Sequence, residues 1–179
     1  MGDNASLRMW TMRTVYVGLA LFVMFFSLLP LQTLPRGWAG PDLMLAMTFA
    51  WVLRRPEYVP ILLVTGVMLL ADMMLQRPPG LWSVLVVCAT EWLKSRERRQ
   101  RETTFFLEWL TFAGTLIVIT ILYRAVMMVL ILAPGALMLS FVQVMMTIAI
   151  YPAVVGVSYF IFGVRRSAPG DMDRLGRTL

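Results

Sequence analysis

Between residues 104 and 132 the chain reads TFFLEWLTFAGTLIVITILYRAVMMVLIL, and Glu108 and Arg124 are its only charges. A helix needs about 20 apolar residues, and no fewer than about 17, to cross a ~30 Å hydrocarbon core. This stretch is long enough, and it is not alone. Further apolar runs lie at residues 15–31, 41–53, 58–75, 80–93 and 136–164, of which 41–53 and 80–93 are short. Hydrophobic residues make up 59% of the 179 and charged residues 15%, which leaves too little polar surface to cover a soluble globule. The pattern predicts an all-α integral membrane protein with six transmembrane helices. Residues 1–14 read as a cytoplasmic N-terminal segment, 15–164 as the membrane domain, and 165–179 as a cytoplasmic tail of disordered composition.

The first run follows Arg8 and Arg13, as the apolar part of a signal peptide would. It is longer than such a region, and "QTLPRGWAG" after it offers no A-x-A-like cleavage site, so the run reads as a retained helix. Basic residues then set the orientation. Placing the N-terminus inside puts thirteen of the sixteen on the cytoplasmic side, leaving only Arg36, Arg77 and Arg124 outside. Both termini are then cytoplasmic. The six tryptophans fit the same scheme as interfacial anchors, with Trp10, Trp51, Trp92 and Trp109 at inner ends and Trp38 and Trp82 at outer ends.

The net charge of +6 comes from clusters between apolar runs, which is a membrane-topology pattern and not a nucleic-acid footprint. Histidine is absent and Cys88 is the only cysteine, so an intrachain disulfide, a histidine metal site and a Ser-His-Asp or Cys-His catalytic set are all excluded. Cys88 reads as a small hydrophobe. The fifteen methionines are scattered over the spans without thiolate or imidazole help, so they read as filler and not as a copper site. No cofactor or metal is expected.

The turn "LQRPPGLWS" cannot continue a helix, because proline lacks an amide proton and restricts the residue before it. Asp72, just upstream, lies about 22 Å up the third helix at 1.5 Å per residue. Two readings stand: a solvated acid at the outer interface, or a pair with Arg124, which the same arithmetic places near the same level. Glu91 and Glu108 fall near the inner ends of the fourth and fifth helices. They read as solvated or salt-bridged groups, or as two acids facing across a crevice that receives a partner. The basic segment Lys94, Arg96, Arg98, Arg99 and Arg101 reads either as a docking loop or as a topology signal attracted to anionic headgroups, and it suits a solvated extension of the fourth helix. Pro152 in "TIAIYPAVVG" frees the carbonyl of Ile148 and should kink the sixth helix unless a neighbour compensates. Ala149, Ala153 and Gly156 form a small-residue strip there, and Ala46 and Ala50 a shorter one on the second helix. Such strips mark close helix packing, within the chain or against another protein.

The order of these features resembles the bacterial rod shape-determining protein MreD family over nearly the whole chain. The resemblance rests on Gly66, Asp72, Pro79, Gly80 and Leu81 in "GVMLLADMMLQRPPGLWSVL", with "PDLMLAMTFAWVLRRPE" before it and "YPAVVG" after it. Met68 and Pro79 stand where the family commonly has glycine and leucine. The resemblance implies a fold similar to the substrate-binding subunits of energy-coupling-factor vitamin transporters. It also implies a non-catalytic inner-membrane scaffold of the cell-elongation machinery. The implied partners are an MreC-like bitopic protein, a RodA-type glycosyltransferase, a class B penicillin-binding transpeptidase and, less directly, MreB filaments, together with membrane lipids. The alternative is the membrane subunit of a small-solute transporter, with Asp72, Arg124 and the turn from Arg77 to Gly80 lining an outward pocket. An intramembrane enzyme is disfavoured because Asp72 lies at the opposite face from Glu91 and Glu108.

The topology has a direct test in a Cys88→Ser background with an impermeant maleimide applied to intact cells. Arg36→Cys and Arg77→Cys should label and Ser95→Cys should not; labelling at position 95 would overturn the six-span arrangement.

Overall fold

A computed structural model describes residues 2–29, 39–99, 104–132 and 135–164. These residues are all-helical, with six α-helices, one short 3-10 turn and no strand among them. In chain order the helices are α1 (Gly2–Leu28), α2 (Leu43–Arg54), α3 (Ile61–Met74), α4 (Leu81–Arg99), α5 (Phe105–Val129) and α6 (Leu137–Phe162). The segments Ser6–Leu28, Phe105–Val129 and Leu137–Phe162 are each long and apolar enough to cross a membrane, whereas α2 and α3 are shorter apolar helices.

Every residue of α2 from Met44 to Leu53 is buried, so this short helix is apolar all round and forms the centre of the molecule. It packs most extensively on α6 and also meets α4 and α1. Ala46 and Ala50 are fully buried, and their small side chains allow close approach of the neighbouring helices. Asp42 caps α2: its Oδ1 accepts from the Leu45 amide at 3.0 Å, and its own N–H donates to the Thr147 hydroxyl of α6 at 2.9 Å. The Tyr16 and Thr48 hydroxyls, both buried, join α1 to α2 at 2.9 Å.

Several boundaries differ from the sequence expectation. Helix α1 begins at Gly2, so residues 2–14 are helical and continuous with the first apolar run. Helix α3 begins only at Ile61, because the Pro56–Tyr58 turn and Pro60 at the N-cap interrupt the apolar run. Helix α4 continues through the basic segment to Arg99, whose charges are compatible with a solvated helix. Trp51 and Trp82 are core residues and not interfacial anchors, with 0% and 8% exposure. The Trp51 indole donates to the Ser158 hydroxyl of α6 at 3.2 Å, which gives its polar edge a partner inside the protein. Cys88 is exposed on α4. Trp38, Arg36 and the tail 165–179 lie outside the described residues.

Helix α6 runs across Pro152 without interruption. The Trp109 indole of α5 donates to the Ile148 carbonyl at 3.0 Å, filling the acceptor that Pro152 leaves free. Trp109→Phe keeps the ring and removes that donor. It should destabilise the chain by about 1–3 kcal/mol, the cost of an orphaned carbonyl in an apolar setting. Trp92→Phe, on a half-exposed indole, should change stability by less than about 0.5 kcal/mol. Thermal unfolding in mild detergent compares the two, and equal losses would deny Trp109 the compensating role.

Candidate functional site

The turn between α3 and α4 is tied together by one carboxylate. Asp72 is fully buried, and its Oδ2 accepts from the Gly80 amide at 3.1 Å, the Ser83 amide at 3.1 Å and the Ser83 hydroxyl at 2.6 Å. Helix α4 begins after Gly80, which has no side chain to cap the free amides of the first turn. Asp72 supplies the missing oxygen from the preceding helix, and its negative charge sits at the positive end of the α4 dipole. Gly80 has φ +87°, a conformation that suits glycine and strains other residues. Pro78 accepts from the Leu81 amide at 3.3 Å, and the Asp72 carbonyl accepts from Arg77 at 3.0 Å, so the RPPG turn closes on itself.

This arrangement corrects both readings of Asp72. It is not solvated, because it is fully buried. Nor does it pair with Arg124, whose Nη1 donates to the Ser140 hydroxyl at 2.7 Å and whose Nη2 donates to the Gly135 carbonyl at 3.0 Å. Axial arithmetic places both residues at a similar level but does not say which way each side chain turns. Ser83 was legible only indirectly: a helix opening on PPG lacks a capping oxygen of its own.

The nearest ion pair to this turn joins Arg77 to Asp42 at 3.7 Å. Arg77 also lies over the Trp82 ring, 5.4 Å from its centroid, and Trp82 meets Tyr123 edge-on. Asp42, Arg77, Trp82, Tyr123 and Arg124 all line one cavity of about 150 Å³ at this end of the bundle. Asp72 is not part of its wall.

Towards the other end, Glu108 is buried at 4% exposure and its Oε1 accepts from Arg54 Nε and the Tyr151 hydroxyl, each at 3.0 Å. The carboxylate therefore links α5 to α2 and α6. Tyr151 stacks on Phe112 at 4.0 Å, and Phe112 meets Phe49 edge-on, so the ion pair rests on an aromatic column. Glu91 behaves differently. Its half-exposed side chain pairs with Lys94 one turn along α4 at 2.7 Å. The two acids serve separate ion pairs, which agrees with the salt-bridged reading of each and not with the alternative of a shared crevice. Arg96 lies over the Trp92 ring at 5.5 Å, Arg98 and Arg99 fall on the last turn of α4, and Arg101 lies outside the described residues. Pro152 is exposed on α6.

Asp72→Ala should lower stability by about 2–4 kcal/mol, because it strands buried donors at the start of α4. Asp72→Asn keeps an acceptor oxygen and should cost less; identical losses by thermal unfolding would mean that capping geometry is not what Asp72 provides. No family model, curated protein or solved structure matches this chain.

Proposed function

We propose that this chain is an MreD-like, non-catalytic scaffold that crosses a bacterial inner membrane six times with both termini in the cytoplasm. It would help organise peptidoglycan synthesis by docking an MreC-like protein and the RodA-type and transpeptidase synthases on its helix faces. The observation that carries this reading is the outer face of α6. Ala149, Pro152 and Ala153 are exposed there and Gly156 is half-buried, at spacings that place all four on one side of the helix. Small residues let another helix approach closely, and in lipid such packing, not hydrophobicity, drives association. The equivalent strip on α2 is consumed inside the chain.

The Asp72 to Gly80 unit that carries the family resemblance acts here as a helix-joining lock, which suits a structural subunit. The basic run from Lys94 to Arg101 would add attraction to anionic headgroups. The cavity beside Arg124 favours a second reading, the substrate-binding subunit of a small-solute transporter.

Affinity purification of a tagged copy at native expression level, with mass spectrometry, separates the two. MreC-, RodA- or transpeptidase-like proteins should be recovered, and Ala149→Leu/Ala153→Leu should reduce that recovery at least severalfold at unchanged membrane abundance. Paired ATPases with a coupling membrane subunit would instead support transport, and unchanged recovery in the double variant would remove α6 as the docking face.

A further inference from the structure

The cavity between α2, α4, α5 and α6 holds an imbalance of charge. Of its two arginines, Arg77 is answered by Asp42 at 3.7 Å. Among the described residues Arg124 is answered only by neutral oxygens, the Ser140 hydroxyl and the Gly135 carbonyl. No carboxylate among the described residues lies within ion-pair distance of it. Its Nε is buried and has no acceptor among the described residues, and the same is true of Nε1 of Trp82, which is 8% exposed and lines the same cavity. Guanidinium and indole groups donate hydrogen bonds and accept none. Leaving such donors without acceptors in a largely apolar wall is unfavourable, and leaving a guanidinium there without a counter-charge is more so.

The complement of this wall is an acceptor with one negative charge. Among the lining residues two arginines stand against one aspartate, and the neighbouring Asp72 carboxylate, outside the wall, is already engaged by the Gly80 and Ser83 donors. Leu116, Met127 and Val144 supply an apolar side to the same space. The volume of about 150 Å³ matches cavities that accommodate one benzene-sized group, so only a group of that size is held within the wall. We propose that this cavity binds a single phosphate or carboxylate monoanion on a small body, with Arg124 neutralising its charge and Trp82 donating beside it. The group arrives either on a free solute or as the phosphate of an anionic lipid headgroup. The site is compatible with scaffolding and with transport and depends on neither.

The full chain, purified in a neutral detergent, tests this by thermal unfolding at constant ionic strength. Sodium phosphate and sodium benzoate are titrated against sodium chloride, and phosphatidylglycerol against phosphatidylcholine. A saturable rise with phosphate or benzoate identifies a free solute; a rise with phosphatidylglycerol alone identifies a headgroup. Arg124→Gln should weaken the effect about tenfold or more, since it removes a charge-assisted contact. Val144→Phe fills the space, leaves both arginines in place and should abolish the effect; it decides alone should Arg124→Gln fail to fold. Arg8→Gln, far along the chain on α1, should leave it unchanged. The proposal is overturned if no probe exceeds its control, or if a folded Arg124→Gln or Val144→Phe protein responds like the unaltered chain.

Discussion

The carboxylate of Asp72 solves a problem that a bundle this apolar faces at every break in its helices. The first amides of a helix have no partner within it, and where hydrocarbon replaces water nothing outside the protein can satisfy them. At the starts of α2 and α4 the chain meets this need with side chains, from the residue at the break in one case and borrowed from another helix in the other. Asp72 of α3 takes the Gly80 and Ser83 amides that open α4. Asp42 takes the Leu45 amide that opens α2, while Thr147 of α6 accepts the N–H of Asp42 itself. Trp109 of α5 fills the acceptor freed by Pro152 inside α6. Each of these polar contacts also fixes one element against another, so satisfying the backbone and specifying the fold are here the same event.

The helices themselves were legible because their signal is the apolar run, and a helix overlaps each of the six runs. What composition cannot show is azimuth. Counting residues gives a height along an axis, which set Asp72 level with Arg124, yet the two turn to different neighbours. Trp51 and Trp82 depart from the interfacial expectation for a related reason. An indole at a helix end is as well served by a buried hydroxyl as by the interface, and Trp51 finds Ser158, more than a hundred residues away in sequence. Pro60 shortened α3 because a single proline at the N-cap outweighs the apolar character of the residues before it. Glu108 was recognised as an acid near a helix end, but its partner Tyr151 comes from α6 and no local spacing announces it.

A helix of about 18 Å such as α2 cannot cross a ~30 Å core by its own length. Its burial on all sides removes the mismatch, since protein and not lipid surrounds it. Polar contacts then mark both its ends: Asp42 with Arg77 and Thr147 at one, and Arg54 with Glu108 at the other. The Arg54–Glu108 pair is costly to bury, and the Tyr151 hydroxyl offsets part of that cost, so the pair contributes register more than net stability. A sliding α2 would have to abandon charged partners at both ends together, which gives the central helix a single seating.

Helix α6 presents two opposed faces. Thr147, Tyr151, Val155 and Ser158 point inward and are buried, while Ala149, Pro152 and Ala153 lie on the other side. Ser140, Gln143 and Val144, which line the cavity, continue the inward face by helical periodicity. A helix docked on the small-residue strip would therefore not touch the cavity, and any influence of one on the other must pass through α6 itself. The point at which α6 is least constrained by its own hydrogen bonds is the gap below Pro152, which Trp109 closes from α5. The same α5 carries Arg124. A partner that altered the bend at Pro152 would thus act on the helix pair whose far ends hold Arg124 between Ser140 and Gly135, which makes α5 and α6 the physical route by which docking and anion binding would be coupled.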